Sequence, residues 1–231
     1  MAQGFLRQGA TVYITARKAA GCEAAAQELS RIGPCFALPC DVSTVAGTRT
    51  LAADLAGRTE HLHILVNNAG AGWGEAFETF PESGWDKVVD VNLKSPFFLT
   101  QALHEQLKRS ATPERPAKVI NIASIDGLSV NPWDTYSYAA SKAGLIHLTR
   151  RLALRLAQDH IVVNGIAPGH FPSDMNKEAR DHGEQLASQV PMRRLGRPDD
   201  IAGAAVYLAS RAGDYVVGET IVVDGGANFA R

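Results

Sequence analysis

Lys118-Val-Ile-Asn-Ile-Ala-Ser124 and Ile161-Val-Val-Asn-Gly-Ile166 are two β-branched runs separated by Thr135–Gln158, a long stretch of helix formers. Within that stretch Leu145, Leu148, Leu152 and Leu156 recur every three or four residues and share one helix face. Short runs rich in Val and Ile read as buried strands. A strand, a helix and a second strand in that order form a parallel pair joined by a crossover.

The alternation extends in both directions. Further strands are expected at Thr11–Thr15, Cys35–Pro39, Leu62–Val66 and Ile221–Val223, with helices at Ala19–Arg31 and Val45–Gly57. The expected fold is α/β, a doubly wound parallel sheet of Rossmann-like type covered on both faces, in one domain over residues 1–231. The longest interruption, residues 171–197, mixes Pro, Gly and charged residues beyond the carboxyl end of a strand. That is the place for a substrate lid.

Composition narrows the partners. Of 231 residues 45% are hydrophobic and 20% charged, and the formal net charge is −1. No basic stripe or acidic tail supports a nucleic-acid or membrane-surface partner. No apolar run approaches the ~20 residues that span a bilayer, and the first ten residues lack the pattern of a secretory signal. Cys22, Cys35 and Cys40 are odd in number and form no C-x-x-C pair. They read as core thiols in a reducing cytoplasm. His61 and His63 lack further ligands at a recognisable spacing, so no metal site is expected.

Chemistry concentrates in Tyr136-Ser-Tyr138-Ala-Ala-Ser-Lys142. Tyr138 and Lys142 stand at i and i+4, one above the other on a helix. A free phenol titrates near ~10, and a neighbouring ammonium favours its phenolate. The pair therefore makes an acid/base group usable near neutral pH. Tyr136 has Ala140 at that spacing, which singles out Tyr138. Ser124 adds a hydroxyl at a strand's carboxyl end, and Asn67-Asn68-Ala69-Gly70 and Pro168-Gly169 follow two other strands. These features converge on the sheet edge where open α/β folds hold ligands.

In order and spacing, Asn67–Gly70, Asp90-Val-Asn92, Ser124, Tyr138-x-x-x-Lys142, Pro168-Gly169 and Asp224-Gly-Gly226 resemble the short-chain dehydrogenase/reductase family over nearly the whole chain. The resemblance implies that Tyr138 exchanges a proton with a carbonyl or alcohol oxygen and that Ser124 stabilises the charge on that oxygen. Lys142 would lower the Tyr138 pKa and hold the nicotinamide ribose, and Asn92 would complete a water-borne relay to Lys142. Asp41 and Val42 would hold adenine, and Asn68, Ala69 and Gly70 would line the cofactor. Pro168, Gly169, Phe171 and Ser173 would orient its carboxamide. Where NAD-selective members carry an Asp, this chain has Ala16 followed by Arg17 and Lys18. A guanidinium suits a 2′-phosphate, so Arg17 points to NADP.

The family's first strand and its Thr-Gly-x-x-x-Gly-x-Gly turn have no counterpart in these residues. The expectation is an N-terminally truncated domain, open at the sheet's centre between 11–15 and 62–66 by about 10 Å. Within the family the chain most resembles 3-oxoacyl-thioester reductases, including the branch associated with rhamnolipid synthesis. The implied function is hydride transfer between NADP(H) and a carbonyl or secondary alcohol, with small-molecule substrates and a homodimer or homotetramer as the assembly. Two other readings stand beside it: a sugar, polyol or steroid reductase, and a catalytically impaired fragment that serves as a dimerising scaffold. Trp73 and Trp133 could line an apolar pocket or pack locally, and His170 could face the substrate or be a loop residue.

Overall fold

A computed structural model of the chain describes residues 1–173 and 183–229. Its strands are β1 (Val12–Ile14), β2 (Cys35–Ala37), β3 (Ile64–Asn67), β4 (Ala117–Ile122), β5 (Ile161–Pro168) and β6 (Thr220–Val223). Every pairing between them is parallel. The helices are α1 (Ala2–Arg7), α2 (Ala19–Leu29), α3 (Val45–Ala56), α4 (Glu82–Val89), α5 (Ser95–Ala102), α6 (His104–Ser110), α7 (Tyr136–Leu156), α8 (Gly183–Gln189) and α9 (Pro198–Ala209). The expected strands and helices are all present, with ends moved by at most two residues.

The strands form two sheets, β1-β2 and β3-β4-β5-β6. Among the described residues no backbone bond joins β1 to β3. Side chains bridge the two parts instead: Val12 of β1 and Ile64 and Val66 of β3 pack in one cluster around Phe5 of α1. Residues 174–182 of the expected lid lie outside the described residues.

Two-residue periodicity explains the core. Val119 and Ile120 are neighbours in β4 and both fully buried, yet they enter opposite clusters. Val119 joins Leu65, Leu99, Leu103 and Leu107, with Leu152 and Leu156 of α7. Ile120 joins Ile166 and, from α9, Ala205 and Leu208. Helices therefore cover both faces. α7 buries Ser137, Ser141, Leu145, Thr149, Leu152 and Leu156, a single stripe. Lys118 departs from the sheet's apolar pattern: it is 3% exposed, and its ammonium meets Asp214 at 2.6 Å.

Candidate active site

Because the strands are parallel, their carboxyl ends share one edge. There Asn67 of β3 stands in register with Asn121 of β4. The Asn67 amide donates to Asn121 Oδ1 at 2.8 Å and to Thr100 Oγ1 at 3.3 Å, and the Asn121 amide donates to Thr149 Oγ1 at 2.9 Å. A buried amide without partners costs several kcal/mol, about 2–7 by reference state; here a polar chain from α5 to α7 satisfies it. Asn67 thereby ties β3 to β4, whereas Asn68 is exposed. Asn68 and Ala69 line a small cavity with Thr15, Val42, Ser95 and Pro96, beside the opening between β1 and β3.

Asn92 sits in a π-helical turn, Asp90–Lys94, between α4 and α5. Such turns re-aim side chains at functional sites. Its side chain is 1% exposed, accepts from Ala71 N at 2.8 Å and donates to Ala71 O at 2.9 Å and to Ser141 Oγ at 3.0 Å. It thereby clamps the Asn67–Gly70 loop to α7.

Ser124 ends the β4 segment and caps a 3-10 turn, Ile125–Gly127, by accepting from Asp126 N at 3.2 Å. A Cβ on Gly127 would stand 2.6 Å from the Lys142 backbone carbon. Only glycine lets the turn lie this close to α7, and this contact brings Ser124 to Tyr138. The Ser124 hydroxyl faces the phenol and favours its phenolate.

Lys142 corrects one expectation. Its ammonium is 5.6 Å from the centre of the Tyr138 ring and donates to the Ile122 carbonyl at 2.7 Å. Burial lowers its pKa to about 8. The Tyr138 pKa is raised, by burial first and then by the Asp126 carboxylate, with Ser124 opposing. Desolvation thus outweighs the help expected from Lys142, and the phenol keeps its proton at neutral pH. Tyr136 is elsewhere: its hydroxyl donates to Asp134 at 2.5 Å and its ring meets Phe77 and Phe80.

The remaining candidates ring this edge. Gly169 N donates to Val223 O, and a Cβ there would strike Asp224 at 2.5 Å, so Pro168-Gly169 lies flush on the end of β6. Phe171 packs on Gly196, and it lines a cavity of about 590 Å³ with His170, Met192, Val222 and Asp224. Ser173 is exposed beside it in the chain. Trp133 meets buried His170 edge-on at 6.1 Å, whereas Trp73 packs locally on Gly84. At the other end of the edge, Asp41 accepts from Ser43 N, and that bond keeps its carboxyl below the usual range, with exposed Arg17 a lesser contributor. Val42 beside it is buried.

The Enoyl-(Acyl carrier protein) reductase family model matches residues 1–228. A rhamnolipids biosynthesis 3-oxoacyl-[acyl-carrier-protein] reductase of Pseudomonas aeruginosa is 46% identical over 229 residues, 98% of this chain and 90% of that protein. The chain belongs to the short-chain dehydrogenase/reductase family. Among solved structures of that family, the Pseudomonas aeruginosa RhlG/NADP active-site complex superposes with a TM-score of 0.95 at 46% identity, covering 98% of this chain and 90% of that one. A gluconate 5-dehydrogenase from Burkholderia cenocepacia, in complex with NADP and tartrate, gives 0.90 at 30%, covering 100% and 90%.

Sequence reasoning passed over Asp126, Asn121 and Thr149. Signals were available: a polar residue inside the apolar β4 run, another at a core position of α7, and Ser-x-Asp at a strand end, a side-chain-capped turn.

Proposed function

We propose that this chain is an NADP-dependent reductase of 3-oxoacyl thioesters. The observation that carries the reading is the meeting of a protonated Tyr138 phenol, the Ser124 hydroxyl and the buried Lys142 ammonium at one sheet edge. The 46% identical relative named as a 3-oxoacyl reductase and its NADP complex support the substrate and the cofactor.

The residues fit the cofactor at both ends. Val42, Asn68 and Ala69 border a cavity beside the adenine position, with Gly70 next in the loop, and Arg17 offers a cation there beside Asp41. Pro168, Gly169, Phe171 and Ser173 flank the nicotinamide end. When bound, NADPH supplies a hydride to the carbonyl carbon. Ser124 hydrogen-bonds the carbonyl oxygen as negative charge develops on it. Tyr138 gives that oxygen its phenolic proton. Lys142 stabilises the resulting phenolate and holds the ribose. Asn92 fixes the loop against α7, and the spare lone pair of its Oδ1 can hold the water of a relay to Lys142. Residues 171–197 close over the substrate, and the protein pairs through α5, α6 and α7 as a homodimer or homotetramer. Three free thiols fit a reducing cytoplasm.

The unpaired edges of β1 and β3 favour a second reading, a scaffold that assembles without turnover. Incubation with NADPH and acetoacetyl thioester separates the two. Cofactor oxidation with a 3-hydroxyacyl product supports the reductase. Assembly without NADPH binding supports the scaffold, and turnover of ketoses or ketogluconates in place of the thioester moves the substrate to sugars.

A further inference from the structure

We propose that Ser141 is a positioning residue for the reduction: its hydroxyl joins the loop that carries Asn68, Ala69 and Gly70 to the backbone of Tyr138, so that loop and proton donor are placed as one unit. The inference rests on the reading of Tyr138 as that donor and deepens it. Ser141 is buried and acts through Asn92 and Tyr138 rather than on the reacting atoms.

An unbroken chain of hydrogen bonds runs from Ala71 to Tyr138. The Asn92 side chain accepts from the Ala71 N–H at 2.8 Å and donates to the Ala71 carbonyl at 2.9 Å. Its second N–H goes to Ser141 Oγ at 3.0 Å. That fixes the direction of the hydroxyl: its oxygen accepts from Asn92, and its own hydrogen goes to the Tyr138 carbonyl at 2.8 Å. The helix ladder gives the same carbonyl to the Lys142 N–H. The bond therefore falls on the turn that spaces Tyr138 from Lys142. Asn92, Ser141 and Lys142 are all buried, so a lost partner leaves a bare polar group.

Gly127 is packed against the Lys142 backbone, so this turn of α7 has two attachments: the Ser124 turn, and the cofactor loop through Asn92 and Ser141. The residue one helical turn back gives a contrast. Ser137 shares the face of Ser141 and is equally buried, yet among the described residues its hydroxyl has no hydrogen-bond partner. Of two buried serines on one helix face, one is bonded to the cofactor loop and the other is not.

The test compares the full-length parent with Ser141→Ala, Ser141→Cys and Ser137→Ala, using NADPH and acetoacetyl thioester. Cysteine nearly keeps the size of serine but donates only weakly, so it separates the bond from the packing. Both Ser141 variants are expected to lose roughly 10- to 100-fold in kcat with KM for the thioester nearly unchanged. Ser137→Ala, which removes a hydroxyl without a bond, is expected to keep the parent's kcat. Hydrogen exchange at the Ala71 amide, followed by NMR without cofactor, is expected to quicken roughly 5- to 10-fold in the Ser141 variants and to stay unchanged in Ser137→Ala. A merely local role in α7 would not move that amide. Parental kcat in the Ser141 variants, an equal loss in Ser137→Ala, or unchanged exchange at Ala71 overturns the proposal. If Ser141→Ala does not fold, Ser141→Cys decides. A parent that turns over no thioester, with Ala71 exchange still dependent on residue 141, would count against the thioester reading and support the bridge.

Discussion

The Lys142 ammonium donates to the Ile122 carbonyl oxygen at 2.7 Å, which ties the second turn of α7 to the last residue of β4. The side chain is 4% exposed. It holds a charge under the Tyr138 ring at the cost of removing that charge from water, and burial lowers its pKa to about 8.

A pH dependence follows. The unfolded chain keeps this lysine protonated up to its ordinary value of 10.5, whereas the folded chain releases the proton near 8. Below pH 8 both states are charged and the folded one bears the whole desolvation penalty. Between 8 and 10.5 the unfolded state binds more protons, so this group's contribution to stability rises with pH. Urea denaturation of the parent against Lys142→Met should give a difference that moves in the parent's favour across that window, by on the order of 3 kcal/mol. A difference flat in pH would reject the buried cation.

Asn92 is expected to matter for stability as well as turnover. Asn92→Ala removes bonds to Ala71 N, Ala71 O and Ser141 Oγ at once. Leaving those groups unpaired should cost about 2–4 kcal/mol. Calorimetry should show a melting temperature lower by roughly 5–10 °C.

Cofactor choice is tested at Arg17. If its guanidinium meets the 2′-phosphate, Arg17→Ala raises KM for NADPH about 10- to 100-fold and leaves KM for NADH nearly unchanged. Equal increases for both cofactors would remove Arg17 from that role.

Two glycines give opposite expectations. Gly127→Ala drives a Cβ into the Lys142 backbone and pushes the Ser124 turn from Tyr138. It should destabilise by about 1–3 kcal/mol and lower kcat. Gly21 in α2 is exposed, and a Cβ added there would meet nothing within 4 Å. Gly21→Ala should stabilise by about 0.5–1 kcal/mol, as denaturant midpoints would show.

Periodicity makes the architecture legible in the sequence. Val-and-Ile runs and the leucine stripe of α7 reappear as β4, β5 and a 21-residue helix. The i, i+4 spacing likewise places Tyr138 with Lys142, because helix geometry is local. What spacing cannot convey is where a long side chain ends. Lys142 spends its charge on a carbonyl twenty residues away, and burial then sets the titration of both partners. Asp126 escapes notice for a related reason: its effect on the Tyr138 proton comes from the fold of a turn onto α7. Lys118 opens a strand that the sequence marks as buried, but its partner is not legible there: Asp214 stands ninety-six residues away.

Everything proposed for this site depends on Tyr138 delivering the proton of an NADPH-dependent reduction. The most direct measurement is kcat for acetoacetyl thioester in the parent and in Tyr138→Phe, which keeps the ring over Lys142 and removes only the hydroxyl. Turnover by the parent is expected, with a loss of about 10²–10⁴ in kcat for the variant and NADPH binding retained. Equal rates in the two proteins, or no turnover by a parent that binds NADPH, would contradict that role.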